Sequence, residues 1–218
     1  MPTLIDAPAI PTIADLIEDL GGIPANRILL RPAPGTATVE DAVRLLHSVD
    51  SRACELIDGT LVEKAMGMRE SRLASWLGRK LGNYLDVHDC GEFAGEQGGF
   101  QPWKGRIRYP DLSFFRYDGL PGGKWPEAPI PLLVPDLVVE VLSESNTPKE
   151  MELKRRDYFR SGVRIVWEID CEERTVEVFT GPDESKTLKA DDTLDGGDVL
   201  PGFTLPLREL FSKLDRAG

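Results

Sequence analysis

In "RESRLASWLGRKLGNYLDVH", Leu73, Trp76, Leu77, Leu81 and Tyr84 recur every three or four residues. That period places them on one side of an α-helix, with polar residues opposite. Lys80 falls on the apolar side, where its stem can follow the core edge while the ammonium stays in water. The same period appears in three other segments. "TIADLIEDLGG" aligns Ile13, Leu16, Ile17 and Leu20 and stops at Gly21-Gly22. "TVEDAVRLLHSVD" aligns Val39, Ala42, Leu45 and Leu46 behind Thr38, a residue type that caps helix N-termini. "TPKEMELKRRDYFRSG" has Thr147 as cap, Pro148 in the first helical position and Gly162 as terminator.

Elsewhere apolar residues alternate or run together. "ACELIDGTLVEKAM" predicts a β-hairpin around Asp58-Gly59, a pair suited to a type I′ turn. Ile28 to Leu30 predicts a short strand between prolines. "GEFAGEQGGFQPWKGRIRYPDLSFFRYDG" predicts two strands joined near Pro102 to Gly105, the second running through Asp111 to Phe115. "LPGGKWPEAPIPLL" has too much Gly and Pro for regular structure. "PDLVVEVLSES", "VRIVWEID" and "RTVEVFTG" predict three more strands, the last two around a turn at Cys171 to Arg174. The tail predicts short strands and a small helix. The Pro-rich start, up to about residue 12, predicts extended or disordered chain. This order predicts an α/β fold, with helices packed on a sheet of about five or six strands.

Two strands carry charge where their neighbours are apolar. In "PDLVVEVLSES", Val138, Glu140 and Leu142 share one face, and Leu137, Val139 and Val141 the other. An unpaired charge at Glu140 would cost several kcal/mol or more. In "YPDLSFF", Asp111, Ser113 and Phe115 face away from Leu112 and Phe114. If these strands are neighbours, carboxylates about 4 Å apart repel by roughly 4 kcal/mol at an effective dielectric of 20. On that reasoning Asp111→Asn is expected to stabilise the metal-free protein. A divalent cation turns the repulsion into a binding site, and Mg²⁺ needs only one or two carboxylates besides water and phosphate oxygens. On the following helix, Met151, Lys154, Arg155 and Tyr158 fall on one side. Lys154 therefore lies in a buried stripe. It is either a structural ion-pair partner of Glu140 or Asp111, or an ammonium that stabilises transition-state charge in a phosphodiesterase.

Composition narrows the choice. The chain has 218 residues, 41% hydrophobic and 29% charged, enough for one large domain with a core. No apolar run approaches the roughly 20 residues of a membrane span. The first 20 residues contain no Lys or Arg, so they lack the charged start of a secretory signal. Cys54, Cys90 and Cys171 are odd in number and widely spaced, unlike a disulfide framework or a zinc site. The expected location is the cytoplasm. The net charge of −11 opposes nucleic acid globally, so any such contact needs a local basic cleft. Arg69, Arg72, Arg106, Arg108, Arg155 and Arg156 are among the cations available for one. His47 and His88 lie near helix ends, where a solvated histidine is the ordinary case. Trp103 and Trp125 lie in loops, as lid residues or as platforms for bases.

"ELIDGTLVE", "RYPDLSFF", "PDLVVEVLSES" and "ELKRRDYFRSGVRIVWEID" together resemble the Uma-two-type restriction endonuclease family of the PD-(D/E)XK nuclease-like superfamily. The resemblance runs from about Cys54 to Phe211. It implies a restriction-endonuclease-like mixed sheet flanked by helices, over 51–218, with an N-terminal helical extension over 1–50. It also implies a metal site in which Asp111 and Glu140 are ligands and Val141 offers its backbone carbonyl. The superfamily pattern places lysine two residues after the second acid. Here that position is Leu142, and the resemblance implies that Lys154 on the helix takes the role, with Tyr158 positioning it or a phosphate oxygen. Glu70, on the long helix, matches a further acidic position of the superfamily; a first-turn acid favoured by the helix dipole is the alternative.

These readings give an expected metal-dependent endonuclease. It would use Mg²⁺ or Mn²⁺ and act on nucleic acid, DNA in the first instance, as a homodimer without a membrane. The rival is a catalytically inactive protein of the same fold, serving as a dimeric scaffold or partner-binding module. Hydrolysis of a small phosphoester is a third reading.

Overall fold

The computed structural model describes residues 12–49, 52–65 and 67–215. Most of the Pro-rich start lies outside them. Helix α1 (Ile13–Asp19) and helix α2 (Val39–Leu46) each begin with a capping box, Thr12 with Asp15 and Thr38 with Asp41. Between them, Ala25–Arg27 makes one turn of 3₁₀ helix. No strand forms at Ile28 to Leu30; Ile28 makes a single bridge to Val62. The nearby prolines leave room for only that one rung.

Strands β1 (Cys54–Ile57) and β2 (Thr60–Glu63) form the expected hairpin. Asp58 and Gly59 both have positive φ, as a type I′ turn requires. The hairpin is not hydrogen-bonded into the main sheet, but Leu56 bridges Ile107. Helix α3 (Met68–Leu85) follows.

The main sheet has six strands: β3 (Gly91–Gly95), β4 (Leu112–Arg116), β5 (Leu137–Leu142), β6 (Ile165–Asp170), β7 (Thr175–Phe179) and β8 (Ser185–Lys189), in that spatial order. Only β5 and β6 are parallel. They are joined through helix α4 (Pro148–Ser161), a βαβ unit in an otherwise antiparallel sheet. The edge strand β8 has no apolar signature, because four of its five residues are exposed and only Leu188 is buried. Strands β9 (Thr193–Asp195) and β10 (Thr204–Pro206) pair with each other, and helix α5 (Leu207–Phe211) follows.

The alternation of β5 and β6 separates two cores. Leu137, Val139, Trp167 and Ile169 pack with Leu73, Leu77 and Leu81 of α3 and Leu210 of α5. On the opposite face Val138 and Val166 pack with Tyr158 of α4, Phe100 and Phe179. Glu140 shares the α4 face with Val138. Ahead of the hairpin, Leu20, Ile23 and Ile28 pack on Ile57 and Val62, on the hairpin face that also carries Glu55.

Candidate active site

The β4–β5 register pairs Leu112 with Val139, which sets Asp111 level with Glu140 on the neighbouring strand. At this end of the ladder the Asp111 N–H donates to Val139 O (3.0 Å). The Val141 N–H donates to Asp111 Oδ2 (2.6 Å), so the side chain replaces the next backbone rung. Asp111 Oδ1 faces Lys64 Nζ at 2.8 Å. That contact is an ion pair without hydrogen-bond geometry, because Nζ has no hydrogen-bond partner. The Lys64 side chain is only 4% exposed.

Glu140 is held from α4. Lys154 Nζ donates to Glu140 Oε1 (3.1 Å), and the Tyr158 hydroxyl donates to the same oxygen (2.5 Å). The two donors are one helical turn apart, so both reach one face of β5. No hydrogen bond from a described residue reaches Glu140 Oε2. Lys154 also lies 3.3 Å from Glu55 Oε1. Arg108 Nη1 donates to Glu55 Oε2 (2.6 Å), and Arg108 Nε donates to Asp157 Oδ2 (2.8 Å). Arg106 Nε donates to the same Asp157 oxygen (2.7 Å). Glu55, Asp111, Glu140 and Asp157 thus meet Lys64, Arg106, Arg108 and Lys154, four carboxylates against four cations in a nearly dry space.

The carboxylates differ in environment. Burial raises Glu140, Lys154 opposes this, Asp111 adds to it, and the carboxyl is pushed up to about 7. Burial also raises Glu55, but Lys154 and Arg108 outweigh it and hold the carboxyl down at about 2. Lys154 stays above its ordinary value because Glu140 and Glu55 overcome its burial. Burial and then Glu140 keep the Tyr158 hydroxyl protonated.

Asp111, Glu140, Lys154 and Tyr158 therefore converge. Tyr158 does so differently from expectation: it is fully buried and holds Glu140 rather than Lys154 or a substrate oxygen. Val141 borders the pair through its N–H, while its side chain lies in the core on the other face. Glu70 stands apart. It starts α3 with its carboxylate folded over Gly67, where a Cβ would collide with it. Among the described residues no three His, Cys, Asp or Glu side chains come together to hold a metal ion. Two carboxylates with the Glu140 Oε2 unbonded still form a hard oxygen donor set of the kind Mg²⁺ and Mn²⁺ take with water. Arg106, Arg108 and Arg155 contribute to no basic cleft, since carboxylates occupy all three. Trp103 is covered by the guanidiniums of Arg106 and Arg160, and Trp125 packs edge-on against Phe115.

Glu55, Lys64 and Asp157 were not singled out from the sequence, and Arg108 was named only as a cation for a basic cleft. All but Lys64 carry a local sign of burial, though not of partner: Glu55 interrupts the apolar "CELI", Arg106 and Arg108 alternate with Ile107 and Tyr109, and Asp157 precedes Tyr158 on the buried side of α4.

Lys64 reverses one expectation. Asp111→Asn removes the counter-ion of a buried ammonium, so it is expected to lower the metal-free melting temperature rather than raise it. Adding Lys64→Met should recover part of the loss, and an unchanged or higher melting temperature for Asp111→Asn alone would show that Lys64 is not its partner.

Glu55 gives the fold an acid limit. Its folded value of about 2 lies below the ordinary 4.5, so the unfolded chain takes up the proton first. This stabilisation is complete above about pH 4.5 and is lost as pH falls toward 2. Glu140, raised to about 7, stays protonated in the folded state throughout, so it favours folding slightly as pH falls through 4.5 and cannot cause the loss. Urea midpoints followed through the window should fall more steeply for the wild type than for Glu55→Gln; parallel curves would remove Glu55 as the cause.

A mixed sheet with one βαβ unit, and an Asp and a Glu level on adjacent strands beside a lysine, define the restriction-endonuclease-like class of fold. The chain belongs to the family described as "Uma2: Putative restriction endonuclease", which matches residues 39–208. The fold is similar to a crystal structure from Anabaena variabilis described as "a putative nuclease belonging to DUF820". That likeness has 22% identity and a TM-score of 0.69, and covers 81% of this chain and 98% of the other. Comparison with curated proteins found no match.

Proposed function

We propose that the protein is a metal-dependent endonuclease that hydrolyses phosphodiester bonds of nucleic acid, with DNA as substrate. The observation that supports this most is the pairing of Asp111 with Glu140 while Glu140 Oε2 stays unbonded. Asp111 and Glu140 would hold Mg²⁺ or Mn²⁺, with the Val141 carbonyl as a further donor. Such an ion, when bound, supplies Lewis acidity toward phosphate oxygen and water. Lys154 and Tyr158 aim the Glu140 carboxylate by fixing Oε1. Lys64, buried beside Asp111, adds a positive charge at the place where a phosphate would build up negative charge.

One observation favours the inactive reading. The four buried carboxylates already have four cations, so the site is electrically complete without a metal. Plasmid cleavage with Mg²⁺ and with Mn²⁺, by wild type and by Glu140→Ala, separates the two. Cleavage that Glu140→Ala abolishes supports the enzyme. No cleavage of DNA or RNA by wild type with either ion moves the reading to a partner-binding module. The proposal includes a homodimer in the cytoplasm, to be tested by light scattering and cell fractionation. No helix among the described residues is long and apolar enough to cross a membrane.

A further inference from the structure

The pocket beside the candidate site is a poor place for a polyanion. It has a volume of about 420 Å³ and opens at Leu142 and Ser143, just past Val141 on β5. Glu70, Glu144, Asp170 and Glu172 line it, against the single cation Arg69. Arg69 and Met68 also belong to a second groove, of about 620 Å³, on the other side of the start of α3. Arg72, Trp76 and Lys213 line that groove, and no carboxylate does.

Helix α3 is unusual in this acidic chain. It carries Arg69, Arg72, Arg79 and Lys80 against one acid, Glu70, and Glu70 turns toward the acid-lined pocket. Arg69, Arg72, Trp76 and Lys80 follow one another at three- and four-residue steps, a stripe of roughly 16 Å along the helix. Among the described residues Arg69, Arg72, Arg79 and Lys213 have no carboxylate at ion-pair distance; Arg69 donates only to the Cys171 carbonyl (2.8 Å). Lys80 is paired with Glu209. Lys80 and Lys213 each place an ammonium 5.1 Å from the Trp76 ring centre, so the ring steadies two cations at the edge of the groove.

We infer that the α3 stripe with Lys213 binds the phosphate backbone of a nucleic-acid strand and leads it toward the candidate site past Arg69, which lines both the groove and the pocket beside that site. This rests on the nuclease reading above, and it names where the substrate lies. Unpaired cations suit phosphates, which are the same for every base, and no carboxylate lines the groove to repel them. Binding is therefore independent of sequence and strongly dependent on salt. Each phosphate contact contributes about 0.7 to the slope of log affinity against log salt for a single strand, and about 0.9 for a duplex.

The test is fluorescence anisotropy in EDTA, with a labelled single-stranded oligonucleotide and its duplex as probes. Arg72→Gln with Lys213→Gln is compared with wild type and with a control, Lys104→Gln with Lys124→Gln, which changes exposed cations outside the groove. The groove pair should weaken binding at least about tenfold at low salt and flatten the slope by about 1.4 to 1.8. The control should match wild type, and the melting temperatures should agree. Equal loss in both pairs, no loss in the groove pair, or no binding by wild type would overturn the assignment. Plasmid cleavage is scored in parallel. Cleavage by wild type that the groove pair leaves untouched overturns the stripe and keeps the nuclease, whereas binding that needs the pair without any cleavage keeps the stripe and overturns the nuclease.

Discussion

Arg108→Met is expected to lower the folding stability by about 3 to 5 kcal/mol, the range for removing one member of a buried ion network. The arginine is 1% exposed and donates to both Glu55 and Asp157. Without it, two carboxylates lose a partner that water cannot replace. Lys154 still faces Glu55 and Arg106 still holds Asp157, so the loss should fall at the lower end of the range. Arg44→Ala is the natural comparison. Its ion pair with Asp41 lies on the surface of α2, with the arginine side chain 72% exposed, and losing it should leave the urea midpoint close to that of wild type. Both changes can be read from urea unfolding curves. A loss below about 1 kcal/mol for Arg108→Met would mean that the network is hydrated or rearranges around the gap.

Glu140→Gln should separate activity from stability. If Glu140 holds the metal, the change should lower cleavage at least about a hundredfold, the usual scale for removing one group that stabilises transition-state charge. The fold should not suffer. Glu140 already resists ionisation, and an amide resembles its neutral form. The amide oxygen can still accept from Lys154 and Tyr158, while the amide nitrogen takes the place of Oε2, which bonds no described residue. Glu55→Gln should do the opposite. Both Glu55 oxygens receive donors, from Arg108 on one side and from Lys154 and the Tyr109 N–H on the other. An amide there turns its own N–H groups against a donor, so stability should fall sharply. Melting temperatures at pH 6, where Glu140 is still mostly protonated and Glu55 is ionised, decide the point. A large drop for Glu140→Gln would make Glu140 a structural partner of Lys154 and weaken the metal reading.

The parts of this site that were legible in the sequence share a property. Glu140 against Val138 and Leu142, and Lys154 against Met151 and Tyr158, are each defined by spacing within one element. Local period decides which face such a residue takes. The helix caps at Thr38, Thr147 and Gly162 were legible for the same reason. Lys64 and Glu55 were not. They reach the site because the β1–β2 hairpin docks beside the segment around Ile107, and nothing in the hairpin's own pattern says where it docks. With Lys64 out of view, repulsion from Glu140 dominated the reading of Asp111, and the expected sign of Asp111→Asn reverses once the ammonium is placed beside it. Strand β8 was missed for a different reason: an edge strand with one buried residue lacks the alternation that marks a half-buried strand.

The docking of that hairpin has a consequence for how the chain folds. Glu55 and Arg108 are 53 positions apart, and their pairing is formed only once the hairpin is seated. Before that, the sheet and α4 would present Arg108, Lys154 and Asp111 with part of their counter-charges absent, which keeps the region wet and open. Seating the hairpin one residue out of register would turn Glu55 away and bury cations without partners, because successive residues of a strand point to opposite sides. The network therefore checks the hairpin's register by charge as well as by shape: a slipped hairpin misplaces Leu56 and Leu61 and also leaves Arg108 and Lys154 without Glu55.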